Sequence, residues 1–244
     1  MSLLKKFNII IPSFNDNELV ELFLNQVKKD KFFKDKKIVF YVIDDGSIKK
    51  FPKKFLKKKY IKLIINKHNI GTHLSILQTI KKFKLSPCIF YWADQELPVK
   101  DLKKIIILYQ KIRSPIIVKR KLSQSLLGFN VSSIIWKVYS IINNVRFENI
   151  STMVVNNIFL KKLMSKNFKI NRRSNFFDLF VLSYKNHTYY EFEFIPKYKK
   201  NRISRWTFKK NLDLLTTLIF LNQNVKKIYL ILFLLFILIN FFLF

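Results

Sequence analysis

The sequence predicts an α/β fold built on a mixed, mostly parallel sheet flanked by helices, and three observations carry that expectation. Residues 38–43 are six apolar side chains without alternation, running straight into Asp44-Asp45-Gly46-Ser47. An unbroken apolar run of that length suits a parallel strand covered on both faces. Upstream, Phe7-Asn8-Ile9-Ile10-Ile11 is a second apolar strand, broken by Pro12 and followed by a helix-like run over 17–27. The two strand-to-helix switches lie about thirty residues apart, the length of a βαβ unit. The same strand, turn and helix order recurs twice more, from Tyr60 and from Cys88.

Taken in order, residues 15–29 open with Asn and Asp at cap positions, and Leu19, Leu22, Phe23 and Val27 recur at helical spacing. The start of this helix follows directly on the first strand, where a bound phosphate or nucleotide meets free N–H groups. Asp44 and Asp45 then close the second strand at its carboxyl edge, the side on which open α/β sheets bind ligands. As an isolated tetrapeptide, Asp44-Asp45-Gly46-Ser47 also reads as a solvated turn after a core strand. A lysine-rich segment leads to a third strand over 60–65, the turn Asn66-Lys67-His68-Asn69-Ile70-Gly71, and a helix over 72–83. A fourth strand over 88–92 leads into Ala93-Asp94-Gln95-Glu96-Leu97-Pro98 and a helix over 100–111. Ile116-Ile117-Val118 reads as a short strand ending in Lys119-Arg120-Lys121, residues 125–142 as an amphipathic helix, and residues 189–196 as an alternating strand.

Composition bounds the rest. The 244 residues suffice for one substantial α/β domain with an appendage. Only three glycines occur, whereas about 7% usage would give about seventeen. Glycines that survive such scarcity, here Gly46 and Gly71 in two of the turns, belong where the backbone needs positive φ or close approach. The formal charge of +31 suggests an anionic partner, but the lysines are spread along the chain in doublets and triplets. The aromatic residues lie in apolar runs and do not alternate with basic ones as stacking platforms would, so no nucleic-acid partner is expected. The single cysteine, Cys88, sits in an apolar run and reads as a buried, inert thiol; with no second cysteine there is no disulfide within the chain. His68, His73 and His187 have no zinc-ligand spacing with it.

The two ends read differently. Residues 1–6 are short and the apolar stretch after them is interrupted at 12–17, which does not make a signal peptide. Residues 228–244 are seventeen in a row with only Tyr229 and Asn240 carrying a polar group. As a helix they would be ~25 Å long, near the lower limit for a hydrocarbon core of ~30 Å. Lys226-Lys227 would hold that end on the cytoplasmic side. A buried core helix is the alternative, though one apolar all round needs cover on every side. Phe208, Leu212, Leu215 and Ile219 form an apolar stripe with Lys209 and Lys210 opposite, suited either to a membrane interface or to packing on the domain.

In Pro12-Ser13-Phe14-Asn15, Asp44-Asp45-Gly46-Ser47 and Asn69-Ile70-Gly71, each after an apolar strand, the chain resembles the family 2 nucleotide-sugar glycosyltransferases. The likeness is closest to those that build polyprenyl-phosphate sugars, of the dolichol-phosphate mannosyltransferase type. It covers residues 7–121 well and 125–221 loosely. It implies a GT-A-like (Rossmann-like) catalytic domain over 1–206, an interfacial helix over 207–227 and a membrane anchor over 228–244. The implied nucleotide site is Pro12, Ser13, Asn15, Asp16, Asp44, Asp45 and Gly71, with Asp44 and Asp45 holding base and ribose. The family's Asp-x-Asp falls here on either Trp92 and Asp94 or Asp94 and Glu96, the first register keeping the downstream helix aligned. Asp94, with Glu96 in the second register, would hold Mg²⁺ or Mn²⁺, hard cations suited to carboxylates and phosphates.

Arg120 would face phosphate, as would Lys199 and Arg205 in Lys199-Lys200-Asn201-Arg202-Ile203-Ser204-Arg205-Trp206. Where relatives carry an acid on the acceptor side, this chain offers Ser151 with Glu148 nearby, and no catalytic base is assigned. The activity implied is inverting transfer of a sugar from a nucleotide-diphosphate donor to a lipid phosphate at the cytoplasmic face of a membrane. A phosphate acceptor is already ionised near neutral pH, so it needs no base. The alternatives are a saccharide or lipid-linked saccharide acceptor, and a non-catalytic membrane scaffold, to which Trp92 in place of an acid points. A homo-oligomer is left open.

Overall fold

The computed structural model describes residues 6–34, 37–49, 51, 59–121, 150–157, 160 and 189–197. The chain divides into two compact units, residues 1–122 with 149–200 and residues 123–148 with 201–244. The described residues all belong to the first. The expected helices over 125–142 and 207–227, the expected anchor over 228–244, and Glu148, Lys199 and Arg205 lie outside them. Among the described residues no helix is long and apolar enough to cross a membrane.

The first unit is a seven-stranded sheet in the order β3-β2-β1-β4-β6-β5-β7. Its strands are β1 (Phe7–Ser13), β2 (Ile38–Asp44), β3 (Ile61–Ile65), β4 (Cys88–Phe90), β5 (Ile116–Arg120), β6 (Ile150–Val155) and β7 (Tyr190–Phe194), and its helices α1 (Asn17–Lys29), α2 (Thr72–Phe83) and α3 (Val99–Ile112). β3, β2, β1 and β4 are mutually parallel. β6 runs antiparallel between β4 and β5, while β7 closes the far edge parallel to β5. The sheet is thus mixed and mostly parallel, as the apolar runs imply.

Strand alternation sends neighbouring side chains to opposite faces. Ile9, Ile11, Phe40 and Val42 join Val20, Phe23 and Leu24 of α1 and Leu102, Ile105 and Ile106 of α3 in one core cluster. Phe23 anchors it, stacked on Tyr91 at 4.1 Å between ring centroids and edge-on to Phe40 at 6.0 Å. On the opposite face, Tyr41 meets Phe83 of α2 at 5.5 Å. Covered on both sides, every residue of β1 and β2 is buried, which is why neither strand alternates in sequence.

One boundary differs from expectation. Pro12 does not break the first strand, which continues to Ser13 and pairs Pro12 with Ile43 and Ser13 with Asp44. The ladder between β1 and β4 ends at Ile10 with Phe90, closed by Tyr91 N–H on Ile10 O. In a parallel strand Pro12 faces the same neighbour as Ile10, so its missing N–H falls where no strand remains to receive it.

Candidate active site

β1 leads to β2 and β3 on one side, while β4 returns to the other side of β1. The crevice at the carboxyl ends of β1 and β4 is therefore the topological switch point, where open α/β sheets bind ligands. The residues picked from the sequence converge on this edge.

Asp44 and Asp45 are both buried, with 1% exposure each. Adjacent along the strand, they turn to opposite faces and tie down two different helix starts. Asp44 turns to α1: its Oδ2 accepts Asn17 Nδ2 at 3.2 Å and its Oδ1 accepts Ser47 N–H at 2.9 Å. Asn17 in turn donates to Lys49 O at 2.7 Å and accepts Ser13 Oγ–H at 2.8 Å. Asp45 turns to α2: its Oδ1 accepts Ile70 N–H, Asn66 Nδ2 and Ser75 Oγ–H at 3.1, 2.8 and 2.8 Å, and its Oδ2 accepts Gly71 N–H at 2.9 Å. A carboxylate offers about four lone-pair positions. Asp45 accepts four bonds from the chain itself, whereas Asp44 accepts two. Asp45 therefore shapes the 66–71 turn and sets an anion at the N-terminus of α2, while Asp44 retains acceptor capacity.

The turns of β1 and β2 are laced together. Asn15 has φ of 57°, a left-handed conformation that Asn tolerates, its N–H donates to Ser47 Oγ at 2.9 Å and its Oδ1 accepts Ile48 N–H at 3.0 Å. Asp16 is the N-cap residue of α1 without a side-chain capping bond. An exposed ion pair, Lys49 to Glu18 at 2.6 Å, lies across the outside and holds the Glu18 carboxyl below its usual range. Gly46 has φ of 76°, and a Cβ there would stand 2.6 Å from the His68 carbonyl carbon. Its glycine is required by backbone against backbone. Gly71, at φ of 97°, precedes α2 and has open space around it.

Across the crevice, the turn after β4 carries Asp94 and Glu96. Asp94 Oδ1 accepts Glu96 N–H at 3.2 Å, and Gln95 donates to Leu19 O of α1 at 2.6 Å, tying this turn to the first helix. Tyr91 donates to Leu97 O at 2.8 Å; burial, with the Asp94 charge, pushes its phenol well above the usual range. Because β6 is antiparallel, its first residues arrive at this same edge. Trp92 Nε1–H donates to Ser151 O at 2.7 Å, and Ser151, Thr152, Asp94, Glu96, Trp92 and Leu97 line a small depression. The Ser151 hydroxyl is buried there without a hydrogen-bond partner. From β5, Arg120 reaches across the start of β6, donating from Nη1 to Ile150 O at 3.0 Å and from Nε to Glu96 Oε2 at 2.8 Å.

These positions bear directly on the implied Mg²⁺ or Mn²⁺. Trp92, at the first acid position of one register, is an indole whose N–H is engaged. Glu96, the second acid of the other register, is paired with Arg120. Among the described residues no group of three His, Cys, Asp or Glu side chains could hold a metal ion. In neither register, then, do two carboxylates stand clear of a cation: Trp92 is not an acid, and Glu96 already holds Arg120.

The structure thus brings Pro12, Ser13, Asn15, Asp16, Asp44, Asp45, Gly71, Asp94, Glu96 and Arg120 to one sheet edge. Asn17, Asn66 and Ser75, which hold the two acids, stand outside the motifs read from the sequence. Alternation along a strand already implied that Asp44 and Asp45 diverge, and that each needs partners on its own face.

No protein-family model matches the sequence, and no curated protein sequence matches it. Solved structures do match in fold. Glucosyl-3-phosphoglycerate synthase from Mycobacterium tuberculosis in complex with phosphoglyceric acid aligns at TM-score 0.59 and 8% identity, covering 88% of this chain and 79% of that one. TarS 1-349 of S. aureus in complex with UDP-GlcNAc aligns at TM-score 0.53 and 18% identity, covering 88% of this chain and 66% of that one. A CMP:2-keto-3-deoxy-manno-octonic acid synthetase complexed with CTP aligns at TM-score 0.50 and 8% identity, covering 78% and 90%. In a further TarS 1-349 structure (19% identity, TM-score 0.46) the match covers 65% of this chain and spans about half, 49%, of the other. The likeness is one of fold: the chain has a GT-A-like, Rossmann-like architecture.

Proposed function

We propose that the chain is a glycosyltransferase using a nucleotide-diphosphate sugar as donor. The observation that carries this reading is the pairing, across one switch-point crevice, of the Asp44 edge with the Asp94–Glu96–Arg120 edge. Two of the matched folds were solved with UDP-GlcNAc and with CTP, which favours a nucleotide ligand for this edge too. Asp44, with acceptor capacity remaining, is suited to polar hydrogens of base or ribose, while Asp45 and Gly46 shape the turn beside it. Arg120 is suited to phosphate, since a guanidinium matches its oxygens bidentately.

The acceptor in this reading is a phosphate group on a lipid carrier, as the resemblance implies, in a protein held at the cytoplasmic face of a membrane by residues 207–244. Ser151 stands where an acid base would be needed for a hydroxyl acceptor; an ionised phosphate oxygen attacks without one. That oxygen forms the new bond to the sugar C1 with inversion as the bond from C1 to the diphosphate breaks, and the nucleoside diphosphate leaves.

The test is a thermal-shift screen of the full chain in detergent against UDP, GDP, CMP and dTDP sugars, followed by product analysis with a polyprenyl phosphate and with a saccharide. A donor at about 100 times its dissociation constant adds about 2.7 kcal/mol. One nucleotide is expected to stabilise the protein by several degrees, and Asp44→Asn to weaken that shift. No shift with any donor would favour the non-catalytic scaffold that Trp92 suggests.

A further inference from the structure

Resting on that donor class, we propose that Arg120, held in place by Glu96, supplies the positive charge that offsets the donor diphosphate, so that nucleotide binding requires no divalent metal ion. Glu96 is then a positioning residue for Arg120 and not a metal ligand. Three observations carry this. Glu96, half of the only two-acid register open to a metal, is joined to Arg120 Nε at 2.8 Å, with side-chain exposures of 17% and 29%. Trp92, half of the other register, donates its only N–H to Ser151 O. Arg120 itself is fixed at two points, Ile150 O and Glu96, the second of which lines the depression.

A guanidinium carries five N–H donors, and these two bonds engage two of them. That leaves three donors by which phosphate oxygens can be bound with both anchors kept. The buried, unpartnered hydroxyl of Ser151 lies in the same depression. A dication placed on Glu96 would instead have to displace Arg120 or stand beside its like charge.

Isothermal titration of the full chain with UDP and with GDP, in EDTA and in Mn²⁺ or Mg²⁺, tests the proposal. The nucleotide that binds is expected to show a Kd in EDTA within about threefold of that with metal. Arg120→Lys, which keeps the charge but loses the fork, should weaken binding about tenfold or more in both buffers. Glu96→Gln keeps an acceptor for Arg120 Nε while removing the opposing charge, so it should bind as tightly as the parent or more tightly. Binding seen only with a dication, or metal-supported binding lost in Glu96→Gln, overturns this inference and leaves the donor reading intact. No binding of any nucleotide in either buffer overturns the donor reading and the inference with it.

Discussion

Removing the Asp45 carboxylate should unfasten the second half of the candidate nucleotide edge. In Asp45→Ala, four donors lose their acceptor: Ile70 N–H, Gly71 N–H, Asn66 Nδ2 and Ser75 Oγ–H. A buried donor left unpaired costs about 1–3 kcal/mol, and more for bonds to a charged group. The 66–71 turn is part-exposed, so water can replace some of the partners; we take about half the summed cost, about 4 kcal/mol. At about 2–4 °C per kcal/mol for a domain of this size, the melting temperature should fall by about 8–16 °C. Asp45→Asn retains the Oδ1 position, which accepts three of the four bonds, but sets an amide group against Gly71 N–H, for a loss of about 2 kcal/mol. Circular-dichroism melts of the two variants give the totals. Amide exchange localises them, with protection at Ile70 and Gly71 falling before that of β2. Drops below about 2 °C in both variants, or unchanged protection at those amides, would refute the assignment of Asp45 as the clasp of this turn.

Gly46→Ala and Gly71→Ala separate conformational strain from steric contact. Both glycines have positive φ, worth about 1–3 kcal/mol for a non-glycine residue, but only at Gly46 does a Cβ meet backbone, 2.6 Å from the His68 carbonyl carbon. Gly46→Ala should therefore melt several degrees below Gly71→Ala, and equal melting would remove the close approach as the reason. His73, part-buried in the first turn of α2, has its pKa lowered by burial from 6.5 to about 4. The unfolded chain then binds more protons between those two values, so stability should decline as pH falls from 6.5 towards 4, by about 1–3 kcal/mol. Denaturant titrations of parent and His73→Gln across that window should show a steeper decline in the parent. Trp92→Phe removes one hydrogen bond, to Ser151 O, and should cost about 1 kcal/mol in the same assay. Burial pushes the Cys88 thiol far above its usual range, so a thiol reagent at pH 8 should label it only on unfolding.

Much of the architecture was legible because it is written in local pattern. The apolar runs of β1 and β2, the helical spacing in α1, α2 and α3, and the scarce glycines at Gly46 and Gly71 each reflect a constraint on a few neighbouring residues. The resemblance placed Asp44, Asp45, Asp94 and Arg120 at strand ends, and the structure gathers them on one sheet edge. Pro12 misled because its tolerance depends on where the neighbouring strand stops, a fact about β4 and not about β1.

What tertiary structure alone decided is which of these groups meet. The order of strands and the antiparallel insertion of β6 between β4 and β5 bring Ser151 and Ile150, more than fifty residues downstream of Trp92, to the same edge. That insertion is what lets Arg120 reach Glu96 across the start of β6, and so changes the chemistry read for both. The strands, the turns and the kinds of side chain at their ends follow from local pattern, since periodicity and backbone preference act over a few residues. Whether an acid is open to a ligand, clasped by amides as Asp45 is, or neutralised as Glu96 is, depends on distances between segments far apart in the chain, which only folding sets.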